Sequence, residues 1–370
     1  MQSKITRRIL AETGIPRLLS ALAEELSAGD LQSLLLSVYQ QRSRTVREPD
    51  LLALSKRSLL TAPSTVDARL FNTFDRAAFQ TAAGFEAVDL SPVGPLGTAA
   101  LLAGIDQNNV LTTIRNAEVL GDSTLALALE CARRRRDLAE RTPAPMRLAS
   151  SHRVVRLQPF DFPGYTLHFR LFALVSAGRD TGSSSFELQH LGEHVRFYLN
   201  LFRSLNAEGF QLASPLVEIS DLSITEALLN AAGVSRDEVR TMVRAHLPGA
   251  SERFLSERGI ALPSQVVSPR DELPASVPQQ RLQLVKERMV DALQPEFPEA
   301  EFRFNLARLE GLGYCAGLCL RISPVAPDGM RYPITDGGFT DWTARLLQDK
   351  KERLLTTGIG SEFVCRKYRA

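Results

Sequence analysis

Glu301-Phe-Arg-Phe-Asn-Leu-Ala-Arg-Leu-Glu310-Gly-Leu-Gly-Tyr-Cys-Ala-Gly317 decides how this chain is read. Its first half alternates apolar and polar side chains, the period of a half-buried strand. Its second half sets glycines at 311, 313 and 317, residues suited to a sharp bend or to close approach of a ligand. Strand and glycines together read as the floor of a small-molecule pocket.

A chain of 370 residues is long enough for a large core and for about two domains. Its 44 basic and 42 acidic residues leave a net charge of +2, so no global field gathers polyanions. Of the four cysteines, Cys131, Cys315, Cys319 and Cys365, only Cys315 and Cys319 are closely spaced, at and just past the end of the stretch quoted above, and the set fits a reducing compartment. Lys4, Arg7 and Arg8 lead into Glu12 and Pro16 instead of an apolar run. No stretch approaches the roughly 18 apolar residues of a membrane span. A cytoplasmic, non-membrane protein is expected.

Outward from the opening stretch, residues 1–60 carry Ile9, Leu10, Leu18, Leu19 and Leu22, then Leu31, Leu34, Leu35, Leu36 and Val38, at helical spacing, with Asp30 as the cap between two helices. Val66, Leu70, Phe71, Phe74, Ala78 and Phe79 line a helix ending near Gly84, followed by a strand over 85–90 and by Pro92. Asp122-Ser-Thr124 caps a helix that runs into four arginines, 133–136. Consecutive arginines point all round a helix, which reads as a solvated end and not as a phosphate-binding stripe. Residues 147–158 and 166–176 are two strands of a hairpin turning at Asp161-Phe-Pro-Gly164, with His168, Arg170 and Phe172 on one face. His190-Leu-Gly-Glu-His194 is not in the His-Glu-x-x-His order and has no third ligand, so packing and no metal is expected.

As an ordered set, these stretches resemble class II aminoacyl-tRNA synthetases of the histidyl type. Glu310 to Gly317 is similar to the Arg-Gly-Leu-Asp-Tyr-Tyr-Thr-Gly signature that holds the amino acid there, with Gly311, Leu312, Tyr314 and Gly317 matching. Helix, glycine, strand and Pro92 resemble motif 1, the dimer interface. Arg115, Glu118 and Thr124 resemble the polar residues of Leu-Arg-Pro-Glu-x-Thr. Arg147 to Gln158 resembles the opening of motif 2, with Arg156 as the arginine that grips the ATP α-phosphate and the substrate carboxylate, work suited to a planar, always-charged fork. Gly337-Gly338 matches the Gly-Gly-Arg-Tyr-Asp loop, and Gly358, Gly360 and Glu362 fall in register with motif 3, Gly-x-Gly-x-Glu-Arg.

The resemblance implies an α+β fold: a class II synthetase-like mixed, mainly antiparallel sheet flanked by helices, with an N-terminal helical extension over 1–62. The core would span 63–213 and 295–370, around a helical insertion at 214–294. Arg156 is implied as catalytic; Arg156, Gln158, Gly358, Gly360 and Glu362 as nucleotide-binding; Arg115, Glu118, His168, Arg170, Glu310, Tyr314, Gly337 and Gly338 as substrate-binding.

Three departures fall on the chemistry. Glu310 stands where the family has Arg, Gly313 where it has Asp, and Phe363 where motif 3 has the arginine that clamps the ATP γ-phosphate. One lost charge-assisted contact costs about 1.5–3 kcal/mol, or about 10- to 100-fold in affinity, so ATP with Mg2+ is expected to bind weakly. The chain also leaves no room for an anticodon-binding domain, and tRNA is not an expected partner. The expectation is a homodimeric paralogue that charges no tRNA: a regulatory subunit like that of ATP phosphoribosyltransferase, binding an amino-acid-like small molecule and a partner enzyme. The alternative is an ATP-dependent, adenylate-forming ligase acting on a non-tRNA acceptor, to which a cationic amino or guanidino substrate facing Glu310 would be suited.

Overall fold

Glu301–Phe304 is a strand of alternating burial, and with seven further strands it hydrogen-bonds into one sheet. The computed structural model describes residues 3–138, 144–158, 166–244, 250–273, 277 and 279–369. In chain order the strands are β1 (Glu86–Ala87), β2 (Val93–Pro95), β3 (Ala117–Val119), β4 (Met146–Val155), β5 (His168–Arg179), β6 (Ala213–Asp221), β7 (Glu301–Phe304), β8 (Leu318–Val325), β9 (Thr335–Thr340) and β10 (Glu352–Ile359). The large sheet runs β1-β4-β5-β10-β9-β8-β6-β7, antiparallel except for the edge pairs β1–β4 and β6–β7, while β2 and β3 form a small separate hairpin. The mixed, mainly antiparallel sheet read from the sequence is therefore present. Residues 214–221, expected to open the insertion, instead belong with Ala213 to β6, between β8 and β7, because their apolar positions alternate with the sheet period. The turn at 161–164 lies outside the described residues.

Twelve helices complete the parts used below: α1 (Lys4–Thr13), α2 (Ala28–Ser43), α3 (Glu48–Arg57), α4 (Ala68–Thr81), α5 (Thr98–Ala103), α6 (Ser123–Asp137), α7 (Ser185–Ala207), α8 (Leu222–Ala231), α9 (Arg236–Arg244), α10 (Ala250–Glu257), α11 (Trp342–Leu347) and α12 (Ser361–Lys367). The N-terminal extension is helical as expected, but α1, α2 and α3 bury no residue. The cap of α2 is Ser27, not Asp30: its hydroxyl accepts the Asp30 amide at 3.1 Å and donates to the Asp30 carboxylate at 2.7 Å. That reciprocal pair satisfies one of the helix's orphan amides.

Because facing residues of paired strands share a face, the register sorts the sheet into two sides. Ala149, Leu174, Thr357, Gly337, Leu320, Ile219 and Phe304 form one row. This side packs on α4, α7 and α12 through Phe74, Phe172, Leu191, Val195, Phe202 and Val364, the main core. The opposite side is covered in two places. Helix α6 lies on β4 and β5 through Leu125, Leu127, Ala128 and Cys131 against Leu148, Ala173 and Val175. At the other end Leu222, Leu229, Val239 and Phe254 of α8–α10 gather with Leu312, Cys315 and Cys319. Between these covers, Gly358 and Asp336 are only half-buried.

The arginine run that ends α6 is solvated only in part: Arg133 and Arg136 are exposed, as expected, while Arg134 is half-buried and Arg135 buried. Arg134 pairs with Glu86 on β1 at 2.8 Å, Arg135 grips Glu352 on β10, and Arg136 donates to the Leu346 carbonyl at 2.8 Å. Arg134, Arg135 and Arg136 tie the helix to the edge strand β1, to the interior strand β10 and to α11. No described helix is long and apolar enough to cross a membrane.

Candidate functional site

The cleft between the two helical covers has as its floor the half-buried part of a cross-sheet row, Gly358, Asp336, Arg321 and Glu218, which continues beneath α6 as the buried Ala173 and Ser150. Tyr314, from the stretch quoted first, packs against both covers and donates its hydroxyl to Asp336 Oδ1 at 3.0 Å. Burial, reinforced by the Asp336 carboxylate, pushes the Tyr314 pKa well above its ordinary value, so the hydroxyl stays a donor. Beneath it lies Arg308, 2% exposed, which pairs through Nη2 with the same Oδ1 and donates Nη1 to the Leu320 carbonyl at 3.0 Å. Burial, the largest single influence, would lower the Arg308 pKa, but Asp336 together with Cys319, Tyr314 and Cys315 turns the net direction upward. Cys315 and Cys319 are buried beside this pair, and burial pushes both thiols up, which makes them packing groups and not nucleophiles.

Glu310 is on this cleft too, yet it is spoken for: Ser251 donates to Oε1 at 2.8 Å and Arg321 approaches Oε2 at 3.4 Å. Arg156 continues β4 on the same side. Its Nε donates to the Gly121 carbonyl at 2.7 Å, its Nη2 pairs with Asp122 at 3.0 Å, and the guanidinium lies 5.2 Å from the Phe169 ring centroid. Arg156 and Tyr314 thus share one side of the sheet, as the reading requires. Gln158 follows, its Nε2 buried without a partner among the described residues.

Several expected site residues are elsewhere. His168 and Arg170 do share a face, but it is the covered one, as β5 alternation demands of residues in phase with Phe172 and Leu174. There His168 takes Arg153 Nη1 at 2.9 Å on Nδ1 and meets the Ala62 carbonyl at 2.6 Å through Nε2. An arginine only donates, so Nδ1 accepts and Nε2 carries the proton. Arg170 pairs with Asp75 at 3.1 Å. Glu362 is 2% exposed and accepts from Ser64 at 2.5 Å, Arg153 at 3.0 Å and the Arg170 amide at 3.1 Å. It fastens α12 and the 62–64 segment to the sheet, leaving no side for a nucleotide. Glu118 is also consumed, accepting the Gly97 and Ala99 amides at 2.8 and 2.7 Å as the cap of α5. Arg115 is exposed on the turn before β3.

The four glycines divide. A Cβ on Gly337 would stand 2.5 Å from the Thr357 Cα, and one on Gly338 would meet Cys319 Cβ at 2.5 Å and Cys315 Sγ at 2.8 Å, so both are glycine for strand packing. At Gly358 the nearest atom would be Leu171 at 3.6 Å, and at Gly360 it would be Phe363 Cβ, also at 3.6 Å. Only Gly358 leaves space on the cleft floor. Phe363 itself stacks edge-on with Tyr332, ring centroids 5.4 Å apart. Three residues of the cleft escaped the sequence reading: Asp122, read as a cap only, Arg308 and Asp336. Their one visible signal was proximity, Asp336 directly before Gly337-Gly338 and Arg308 two residues before Glu310.

The two helical histidines are buried packing groups, and among the described residues no cluster of three or more His, Cys, Asp or Glu side chains could hold a metal. His194 sits between Ser176 at 2.9 Å and Thr357 at 2.8 Å, and Tyr198 donates to the same Thr357 hydroxyl at 2.8 Å. Burial, helped by nearby His190, lowers the His194 pKa from 6.5 to about 3. The native state therefore resists a proton that the unfolded chain accepts, so stability is full above pH 6.5 and falls as pH drops, by up to about 1.4 kcal/mol per unit. Urea midpoints between pH 7 and pH 5 should fall for the wild type and stay flatter for His194→Gln; equal slopes would refute this. Carboxylates held low, such as Glu130 at about 2 through its Arg133 hydrogen bonds, respond only below about pH 4.5.

An antiparallel sheet with one side sealed by helices and a cleft on the other, with arginine and tyrosine at its edges, is the class II aminoacyl-tRNA synthetase architecture. Solved structures that share this fold include proteins of the histidyl type. The histidine–tRNA ligase subunit of Alicyclobacillus acidocaldarius superposes with a TM-score of 0.57 at 17% identity, over 82% of this chain and 95% of that one. Histidyl-tRNA synthetase from Nostoc sp. PCC 7120 gives 0.57 at 15%, over 82% and 73%. A Bacillus halodurans protein described as an ATP phosphoribosyltransferase regulatory subunit/histidyl-tRNA synthetase gives 0.53 at 13%, over 82% of each chain. No family model and no curated protein sequence matches the chain. At such identities the likeness establishes the fold.

Proposed function

We propose that the protein is a histidyl-tRNA-synthetase-like paralogue that charges no tRNA, binds an amino-acid-like small molecule in the cleft and acts as a regulatory subunit, assembled as a homodimer and working on a partner enzyme. The observation that carries this is charge matching. Arg156 is paired with Asp122, Arg308 with Asp336 and Arg321 with Glu310, and Glu218 stands beside Arg321 on the floor. Among the described residues, these three cleft arginines are each already matched by a carboxylate, so a triphosphate entering there would have to displace an ion pair to offset its desolvation. Phe363, where motif 3 would place a cation, packs on Tyr332. A fold neighbour described under both names, regulatory subunit and synthetase, is compatible with this reading.

ATP–pyrophosphate exchange with each of the common amino acids tests the reading. No exchange above background is expected, together with co-purification of a phosphoribosyltransferase from the native host. Exchange with any one acid would replace this reading by the adenylate-forming ligase.

A further inference from the structure

We infer that Asp336, and not Glu310, is the receptor for a positive charge on the ligand, and that the ligand is a compact molecule carrying an ammonium or guanidinium group. The inference rests on the reading of the cleft as a small-ligand site and names the chemistry it selects.

Both protein donors to Asp336, Arg308 Nη2 and the Tyr314 hydroxyl, use the one oxygen Oδ1. Oδ2 takes no hydrogen bond from any described residue, and the side chain is 44% exposed although it stands on β9, the fifth of eight strands. Carboxylates in the middle of a sheet are rare unless paired. Here the pairing is one-sided: a guanidinium buried on all sides fixes the carboxylate from below and a tyrosine that stays protonated fixes it from the side. The outward oxygen is left fixed in direction and without a donor. Its cross-strand neighbours leave it clear. Gly358 on β10 has no side chain, and Arg321 on β8 reaches instead to Glu310. The opening above Gly358 admits a small group, since a Cβ there meets nothing closer than 3.6 Å.

Glu310 lacks these properties. Arg321 and Ser251 occupy both its oxygens, so a cation there would have to displace an ion pair. Arg308 plays a positioning part: it never faces the ligand, and it holds Oδ1 so that Oδ2 points into the cleft.

Isothermal titration of the full chain with L-arginine, agmatine, L-lysine and putrescine, set against the neutral isosteres L-citrulline and L-norleucine, tests this. At least one cationic compound is expected to bind and its neutral counterpart to bind about 10- to 100-fold more weakly, the range for one charge-assisted hydrogen bond. Asp336→Asn should remove that preference, while Glu310→Gln should keep it. If Asp336→Asn fails to fold because Arg308 is left unpaired, Arg308→Met/Asp336→Asn removes both charges and serves as the readout. Citrulline binding as tightly as arginine, an unchanged preference in Asp336→Asn, or no binding of any of the six compounds would each overturn the inference. None of these results would produce pyrophosphate exchange, so failure here is distinct from failure of the regulatory reading.

Discussion

Gly337→Ala is expected to yield no stably folded protein, while Gly358→Ala, on the neighbouring strand, folds with nearly wild-type stability. The added methyl at 337 would stand 2.5 Å from the Thr357 Cα and press on the Thr356 carbonyl oxygen. Carbon atoms in comfortable contact are about 3.5–4.0 Å apart. Both obstacles are backbone of β10, which is hydrogen-bonded to β5 on one side and to β9 itself on the other. A side chain rotates away from a clash; a central strand does not. Ordinary overpacking costs about 1–3 kcal/mol, and here relief requires breaking the β9–β10 ladder, so a loss above about 4 kcal/mol is expected. At 358 the methyl meets Leu171 at 3.6 Å, an ordinary contact. Stiffening of the unfolded chain there offsets any small cost, at about 0.4–1 kcal/mol. Soluble yield and urea midpoints measure both; a Gly337→Ala midpoint within about 1 kcal/mol of the wild type would show that the strands are not packed in this way.

That contrast also shows where the sequence stops being readable. The family resemblance implied a ligand role for Gly337, Gly338 and Gly358, because a motif match identifies a glycine that something approaches closely but not what approaches. For two of them it is the protein's own backbone and cysteines. Strand alternation correctly put His168, Arg170 and Phe172 together. Which side faces water depends on where α4, α7 and α12 land, a tertiary fact no local period encodes. The fold was legible because its signals are long: alternation over β4 and β5, the helix before Gly84, the glycine-strand-helix order at the end. The cleft was legible only in part. Motif register drew attention to Glu310, while burial selects Arg308, which lies in a stretch where alternation makes positions 308 and 310 look alike. Glu118 and Asp122 were competing carboxylates four residues apart. The hairpin β2–β3 turns Glu118 inward onto α5, and Asp122, as the cap of α6, is left to meet Arg156.

Arg135→Met should be the most destabilising of the four arginine substitutions in the 133–136 run, by about 3–5 kcal/mol. Arg135 and Glu352 form two hydrogen bonds, Nε to Oε2 at 2.6 Å and Nη2 to Oε1 at 3.0 Å, with both side chains only 3% exposed. Taking one partner from a buried pair leaves the other charge without compensation, which is where the cost arises. Arg179 stands 3.5 Å from Glu352 and recovers part of it, drawing the effect toward the lower end of that range. Arg133, paired only with the exposed-side carboxylates Glu130 and Asp137, should cost no more than about 1 kcal/mol when replaced. Removing both charges, as in Arg135→Met/Glu352→Leu, should recover most of the loss, since a buried ion pair and an apolar pair of similar volume are often nearly equal in stability. Urea unfolding of the three variants decides the matter. If the single and double variants lose equally, the interaction is one of packing between α6 and β10, and the charges contribute nothing of their own.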